Sequence, residues 1–318
     1  MNFNIDYISL AYTIILLPFY TIYTIRLGYR IYIKKSPDVR NEYYPIIFYK
    51  GFIDNLTNIV QFSFARILKY HILEDFFLTY NLPVYILYFT TGATYCIMFQ
   101  ITFLIAFNRF VAITKPTYYK QYFEFKRLHF YIFLTLIPGG IVAVVSVCYE
   151  LDYVWFPSLN RVMPVYMARK IEYFQAGVGI VFNFPLVVIT TIMNLKCFFK
   201  NKNLLSVKSL RNSTDSKLFL YNIISFITMI GFEFYYIFRY LPYIIGRFQS
   251  LETLAITLIP WFLDIMTYGL FFFSLALSTV LRSLVPICGS KISKKRQSSK
   301  VAHSQQMKQG SNGIVAKK

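Results

Sequence analysis

Seven apolar stretches, each long enough to cross a bilayer, divide this chain of 318 residues. A transmembrane helix needs about 20 apolar residues to cross roughly 30 Å of hydrocarbon at about 1.5 Å per residue. The sequence therefore predicts an all-α membrane protein, with residues 1–285 folded as one seven-transmembrane helix bundle. The expected spans lie at about 7–27, 45–65, 82–108, 128–148, 172–195, 218–241 and 254–281.

The positive charges predict how this bundle is oriented in the membrane. Every second gap between spans is rich in Lys and Arg, and the four rich gaps hold 25 of them against 7 in the three poor gaps. Basic loops stay on the cytoplasmic side, so we expect the N-terminus outside and the C-terminus inside. The rich gaps are 26–43, 109–127, 196–217 and 282–318, and the poor gaps are 66–81, 149–172 and 239–253.

The net charge of +19 raises the question of nucleic-acid binding. The excess sits in the cytoplasmic loops and the tail, where membrane topology and anionic lipid headgroups account for it. Only 15% of the residues are charged, whereas a soluble domain carries about a quarter. The composition therefore predicts the lipid bilayer, and no nucleic acid, as the partner of the basic residues.

The tail, residues 286–318, is rich in Ser, Lys, Gln and Gly, so we expect it to be a disordered basic cytoplasmic segment. Cys288 lies just inside the membrane and is a candidate for palmitoylation. Ser298 and Ser299 follow a basic run and fit phosphorylation by a basophilic kinase, which would weaken attraction to anionic lipid. The alternative for that run is a topogenic cluster in contact with lipid. Cys96 and Cys148 lie at different depths, so we expect no disulfide between them.

Four charged residues lie inside the expected spans and away from their ends, at a depth where a charge costs on the order of 3 kcal/mol or more. Lys50 and Asp54 are four residues apart on one helix face, which allows an ion pair. We predict a polar cluster of Lys50, Asp54, Asn55 and Asp264 that links spans two and seven. In the alternative, Lys50 extends to the inner membrane surface and Asp54 is protonated or bonded to water.

The fourth ionisable residue, Glu233, lies in the outer half of span six among aromatic residues. A carboxylate in such surroundings can bind a cationic or hydrogen-bonding ligand, so Glu233, Tyr235, Tyr236 and Trp261 form the candidate ligand pocket. In the alternative, Glu233 is neutral and bonded to another helix. The three histidines lack metal-ligand spacing, and the sequence predicts no metal site, no cofactor and no enzyme activity.

The inner end of span three carries Asn108-Arg109-Phe110, followed by Lys115-Pro116. This segment resembles the end of the third helix in rhodopsin-like receptors, and more closely that of the nematode serpentine chemoreceptors, in the superfamily that includes classes gamma and V. Asp54 in span two and the segment from Pro260 to Asp264 also resemble the corresponding parts of these receptors. The resemblance covers all seven spans. It implies a G-protein-coupled receptor of the plasma membrane, in the setting of a sensory cilium.

The resemblance also implies roles for residues on the cytoplasmic side. Arg109 is expected to take part in activation and to face a heterotrimeric G protein, together with Lys126, Arg127 and the basic third loop. Asn108 stands where the family triplet usually has an acid, so the usual partner of the Arg is missing. The implied ligand is a small extracellular molecule, and retinal is excluded because span seven has no Lys.

Two other classes of membrane protein stay open at this point. A proton- or ion-coupled transporter would use Lys50, Asp54, Glu233 and Asp264, although the chain lacks the inverted repeat that many transporters have. A ligand-gated channel subunit would give ionic current without a G protein.

Overall fold

The computed structural model describes residues 3–39, 42–157, 160–168, 170–205, 214–245 and 249–285. Seven long helices follow one another in this part of the chain, and each coincides with one expected span. The all-α, seven-helix architecture is therefore confirmed. The tail with Cys288, Ser298 and Ser299 lies outside the described residues.

The long helices run past the expected limits of the spans at most of their ends. They are α1 (Phe3–Gly28), α2 (Tyr43–Gln61), α3 (Leu82–Thr114), α4 (Phe125–Val147), α5 (Lys170–Gly177, continued by Phe184–Leu205), α6 (Thr214–Ile245) and α7 (Gln249–Asp264, continued by Leu270–Leu277). Short helices also occur in the described part, at Pro37–Val39, Ile67–Tyr70, Glu74–Thr79, Pro116–Tyr118, Tyr119–Tyr122 and Thr279–Arg282.

Four of the long helices either contain or continue into a wide π-helical segment of five or six residues. These segments are Tyr29–Ile33 after α1, Phe62–Arg66 after α2, Val178–Asn183 within α5 and Ile265–Gly269 within α7. Such segments often accompany functional sites. The segment after α2 corrects the expectation that Arg66 belongs to an outer loop, because it extends the helical path and leaves Arg66 buried.

Six of the helices in the described residues are long and apolar enough to cross a membrane. The remaining one is α2, which carries buried polar residues along its length: Lys50, Asp54, Asn55, Thr57 and Asn58. A spanning helix with so many polar residues must direct them towards other helices, because lipid offers them no hydrogen bonds. The second span is thus the polar element of the bundle.

Helix α3 is the centre of the bundle and packs against α2, α4, α5 and α6. Its contact with α4 is close at Gly139, where an added Cβ atom would lie 2.6 Å from Ile97 Cγ1 and 3.0 Å from the carbonyl oxygen of Ala93. At Gly140, the next residue, an added Cβ atom would have no neighbouring heavy atom within 4 Å. The two neighbouring glycines therefore differ in what they can accommodate.

Gly139→Ala is expected to lower the free energy of unfolding by about 1–3 kcal/mol, because an added methyl group overpacks the interface between α3 and α4. Gly140→Ala is the matched control and should be neutral or stabilise by up to about 1 kcal/mol, since Ala favours helix over Gly. The unfolding temperatures of the two purified variants test this. Equal temperatures for both variants would contradict the close packing at Gly139.

A β-hairpin lies between α4 and α5 on the outer side. Its strands, β1 (Leu151–Phe156) and β2 (Arg161–Tyr166), pair antiparallel, with Leu151 opposite Tyr166. The Tyr153 hydroxyl donates to the carbonyl oxygen of Phe64 at 2.9 Å, which ties the hairpin to the end of α2. Burial raises the pKa of Tyr166 to about 12. The hairpin covers part of the outer end of the bundle.

Candidate functional site

The predicted coupling triplet lies in the last turns of α3, on the side that the basic loops mark as cytoplasmic. Arg109 is 4% exposed, and its guanidinium carbon lies 4.3 Å from the centre of the Tyr43 ring at the start of α2. The face of an aromatic ring attracts a cation. The Tyr43 ring in turn lies edge-on to Tyr221 of α6, with the ring centres 6.3 Å apart. Arg109 therefore lies at a junction of α2, α3 and α6.

The other predicted coupling residues lie around this junction. Asn108 is fully buried, and its Nδ2 donates to the hydroxyl of Tyr119 at 3.0 Å. Phe110 is half-buried and packs against the core. Lys126 and Arg127 are exposed at the start of α4, where Arg127 donates to the carbonyl oxygen of Gln121. The structure therefore separates a buried Asn108 and Arg109 from an exposed basic pair.

Two of the predicted polar residues form a buried ion pair within α2. The Lys50 ammonium lies 2.5 Å from Asp54 Oδ2, and both side chains are almost completely buried. Asp54 Oδ2 also accepts a bond from the Tyr20 hydroxyl of α1 at 2.8 Å. Lys50 donates a second bond to the carbonyl oxygen of Met266 in α7 at 3.1 Å. The pair thus connects α1, α2 and α7, and Lys50 does not extend to the membrane surface.

Asn55 lies beside this pair and faces α1. Its Oδ1 accepts from the Thr21 hydroxyl at 2.8 Å, and its Nδ2 donates to Thr24 Oγ1 at 3.1 Å. The same Nδ2 donates to the carbonyl oxygen of Gly51 at 2.6 Å. Asn55 therefore joins α2 to α1, whereas the prediction used it to join spans two and seven.

Asp264 belongs to a second ion pair, which corrects the predicted cluster of four. Its carboxylate accepts from Arg66 at two points, with Nη2 2.6 Å from Oδ1 and Nη1 3.1 Å from Oδ2. The hydroxyl of Tyr12 donates to Asp264 as well. Two parallel N–H bonds to one carboxylate form the strongest geometry for such a pair. This second pair also connects α1, α2 and α7, and it lies closer to the outer surface than the pair of Lys50 and Asp54.

The structure brings together three of the four predicted ligand-pocket residues. Glu233 is 6% exposed, Tyr235 is buried and Tyr236 is half-buried, and all three lie on one stretch of α6. Phe99 of α3 meets Tyr236 with the ring centres 6.3 Å apart, so this stretch faces the centre of the bundle. Trp261 is 40% exposed on α7 and does not belong to this buried group.

Sequence reasoning missed the tyrosines and the arginine that complete these sites. An acid at Asp264, deep in an apolar span, was a signal that a basic partner had to exist. Arg66 was a candidate, because it stands directly after the predicted end of span two. Tyr12, Tyr20 and Tyr43 gave no such signal, since the chain has 28 tyrosines. Cys96, Cys148 and Cys197 are free thiols in the described part of the chain.

Comparison with known families agrees with this architecture. Residues 9–286 match the family described as the serpentine type 7TM GPCR chemoreceptor Srv. None of the curated proteins matches the chain. The match covers all seven helices and both ion pairs, it confirms the resemblance to serpentine chemoreceptors, and it identifies a multi-pass protein of the plasma membrane. A match over most of its length means that the chain belongs to the Srv family of serpentine seven-transmembrane chemoreceptors.

Proposed function

We propose that this chemoreceptor binds a small extracellular molecule in its outer half and activates a heterotrimeric G protein on its cytoplasmic side. The observation that carries the proposal is the burial of Arg109 at the junction of α2, α3 and α6. A buried guanidinium costs free energy unless aromatic or polar groups surround it. Separation of α6 from α2 would move Tyr221 away from Tyr43 and open the junction at Arg109.

The expected partner surface includes Arg109, Lys126 and Arg127. In the described arrangement the latter two are exposed and Arg109 is covered. Opening of the junction would add Arg109 to the exposed basic pair and create a larger positive surface. A ligand that binds the open arrangement more tightly shifts the population towards it.

The outer half of α6 is the proposed ligand region. Glu233 Oε2 is buried without a hydrogen-bond partner, and Tyr235 and Tyr236 lie on the same stretch of the helix. A buried carboxylate oxygen without a partner costs free energy, which a ligand that donates a hydrogen bond would recover. Because α6 carries both this region and Tyr221, movement at its outer end can reach the junction at Arg109.

Arg109→Ala is expected to abolish the second-messenger response while the receptor still reaches the cell surface. The full-length receptor would be expressed in cells and challenged with small volatile and water-soluble compounds, while cAMP, cGMP, calcium and whole-cell current are recorded. The response of the wild-type receptor should be lost in the variant, because the variant lacks the cation that the open junction would present.

Lys115→Ala is the matched control, because it removes one exposed cytoplasmic charge outside the junction. It should respond like the wild-type receptor at an equal surface level. A ligand-evoked current that persists when G proteins are blocked would overturn the proposal in favour of a channel.

A further inference from the structure

A basic groove lies at the cytoplasmic end of α1, away from both ion pairs and from Arg109. It encloses about 210 Å³ between the end of α1 and the residues that follow α7. The described residues that line it are Arg26, Tyr29, Arg30, Lys34, Ser283 and Leu284. Three of these six side chains are cationic, and none is a carboxylate. The three cations are four residues apart in sequence, so they follow one side of the helix.

The two arginines are held in place by neutral acceptors. Arg26 Nη1 donates to the carbonyl oxygen of Leu284 at 3.2 Å, and Arg30 Nη1 donates to Ser283 Oγ at 3.2 Å. Each guanidinium has five N–H donors, so one such bond leaves several donors for a ligand. Neutral acceptors also leave the positive charge of each arginine uncompensated. The planar guanidinium matches the oxygens of a phosphate group, which it binds at two points.

The depth of the groove corresponds to the lipid headgroups of the inner leaflet. Tyr20 bonds to Asp54, which lies about halfway along α2 and its π-helical continuation. At about 1.5 Å per residue, Arg26, Arg30 and Lys34 lie roughly 9, 15 and 21 Å further towards the cytoplasm. The hydrocarbon half-thickness is about 15 Å, so the three cations bracket the boundary between the hydrocarbon and the headgroups.

We propose that this basic groove binds the phosphorylated headgroup of an inner-leaflet phosphoinositide. Three cations around one concave site suit a headgroup that carries several negative charges. A serine headgroup carries a single net charge and would leave two of the cations unpaired. A bound headgroup would connect α1 to Ser283 and Leu284 through the same arginines.

The test uses the full-length receptor in nanodiscs of neutral phosphatidylcholine. A short-chain phosphatidylinositol bisphosphate is titrated, and binding is measured by native mass spectrometry. The double variant Arg26→Gln and Arg30→Gln should bind this lipid roughly thirty-fold more weakly, and Lys34→Gln roughly five-fold. Lys34 is exposed, so its variant tests the groove even where the double variant folds poorly.

The matched control is the double variant Lys115→Gln and Lys120→Gln, which removes two exposed charges from the same membrane side. It should bind the phosphoinositide nearly as tightly as the wild-type receptor. Unchanged binding in all groove variants, or an equal loss in the control, would overturn the proposal. Short-chain phosphatidylserine and inorganic phosphate are titrated in parallel, and equally tight binding of either would exclude a phosphoinositide site.

Discussion

Replacement of Asp54 by Leu is expected to lower the free energy of unfolding by about 3–5 kcal/mol, because it leaves the Lys50 ammonium buried without its counter-ion. Tyr20 would lose the acceptor of its hydroxyl in the same variant. We expect a strong drop in surface level and in the unfolding temperature of the purified receptor. Both can be measured with one tagged protein.

The double variant Lys50→Met and Asp54→Leu provides the decisive comparison. It removes both charges and replaces them with apolar groups of similar size, a change that is often neutral for a buried pair. Most of the lost stability should therefore return. Asp75→Asn removes an exposed carboxylate and should have no effect. A double variant as unstable as Asp54→Leu would contradict the ion pair as the source of the loss.

Reversal of either charge in the outer ion pair should have a comparable effect. Arg66→Asp would set two carboxylates against each other, and Asp264→Arg would set two guanidinium groups together. Each single change is expected to cost about 3–5 kcal/mol and to reduce the surface level. Arg66 and Asp264 belong to different helices, so this loss would report on the contact between α2 and α7.

The exchanged double variant, Arg66→Asp with Asp264→Arg, restores opposite charges at the same two positions. A double-mutant cycle should give a coupling of about 0.5–3 kcal/mol, with part of the surface level recovered. Full recovery is not expected, because Tyr12 donates to the carboxylate in its native position. Additive losses in the cycle would refute a direct pair.

The fold could be predicted because a membrane-spanning helix is recognisable in a sequence from its length and its apolar composition. Every expected span coincides with a helix, and α2 was predicted as an apolar stretch at 45–65 although it carries several polar residues. The hairpin β1–β2 was not predicted, since two strands of six residues in a loop carry little signal beside seven long helices. The wide π-helical segments were not predicted either, because they depend on packing between helices.

The candidate site was predictable only where its partners lie close in sequence. Lys50 and Asp54 are one helical turn apart, and helix geometry alone suggested their ion pair. The pair of Arg66 and Asp264 joins positions 198 residues apart. Which acid meets which base across such a distance depends on helix rotation and on the π-helical continuation of α2. The sequence therefore predicted a polar connection between spans two and seven that includes Lys50 and Asp54, but it did not predict Arg66 as the partner of Asp264.

The bond from Lys50 to α7 ends on a backbone atom, the carbonyl oxygen of Met266. Every residue type offers that oxygen, so the contact does not depend on which side chain occupies position 266. Sequence drift at this position should leave the connection intact as long as the backbone keeps its course. Position 50 has no such freedom, because only a long cationic side chain reaches both Asp54 and α7. Of the two positions in this contact, position 266 should therefore tolerate substitution and position 50 should not.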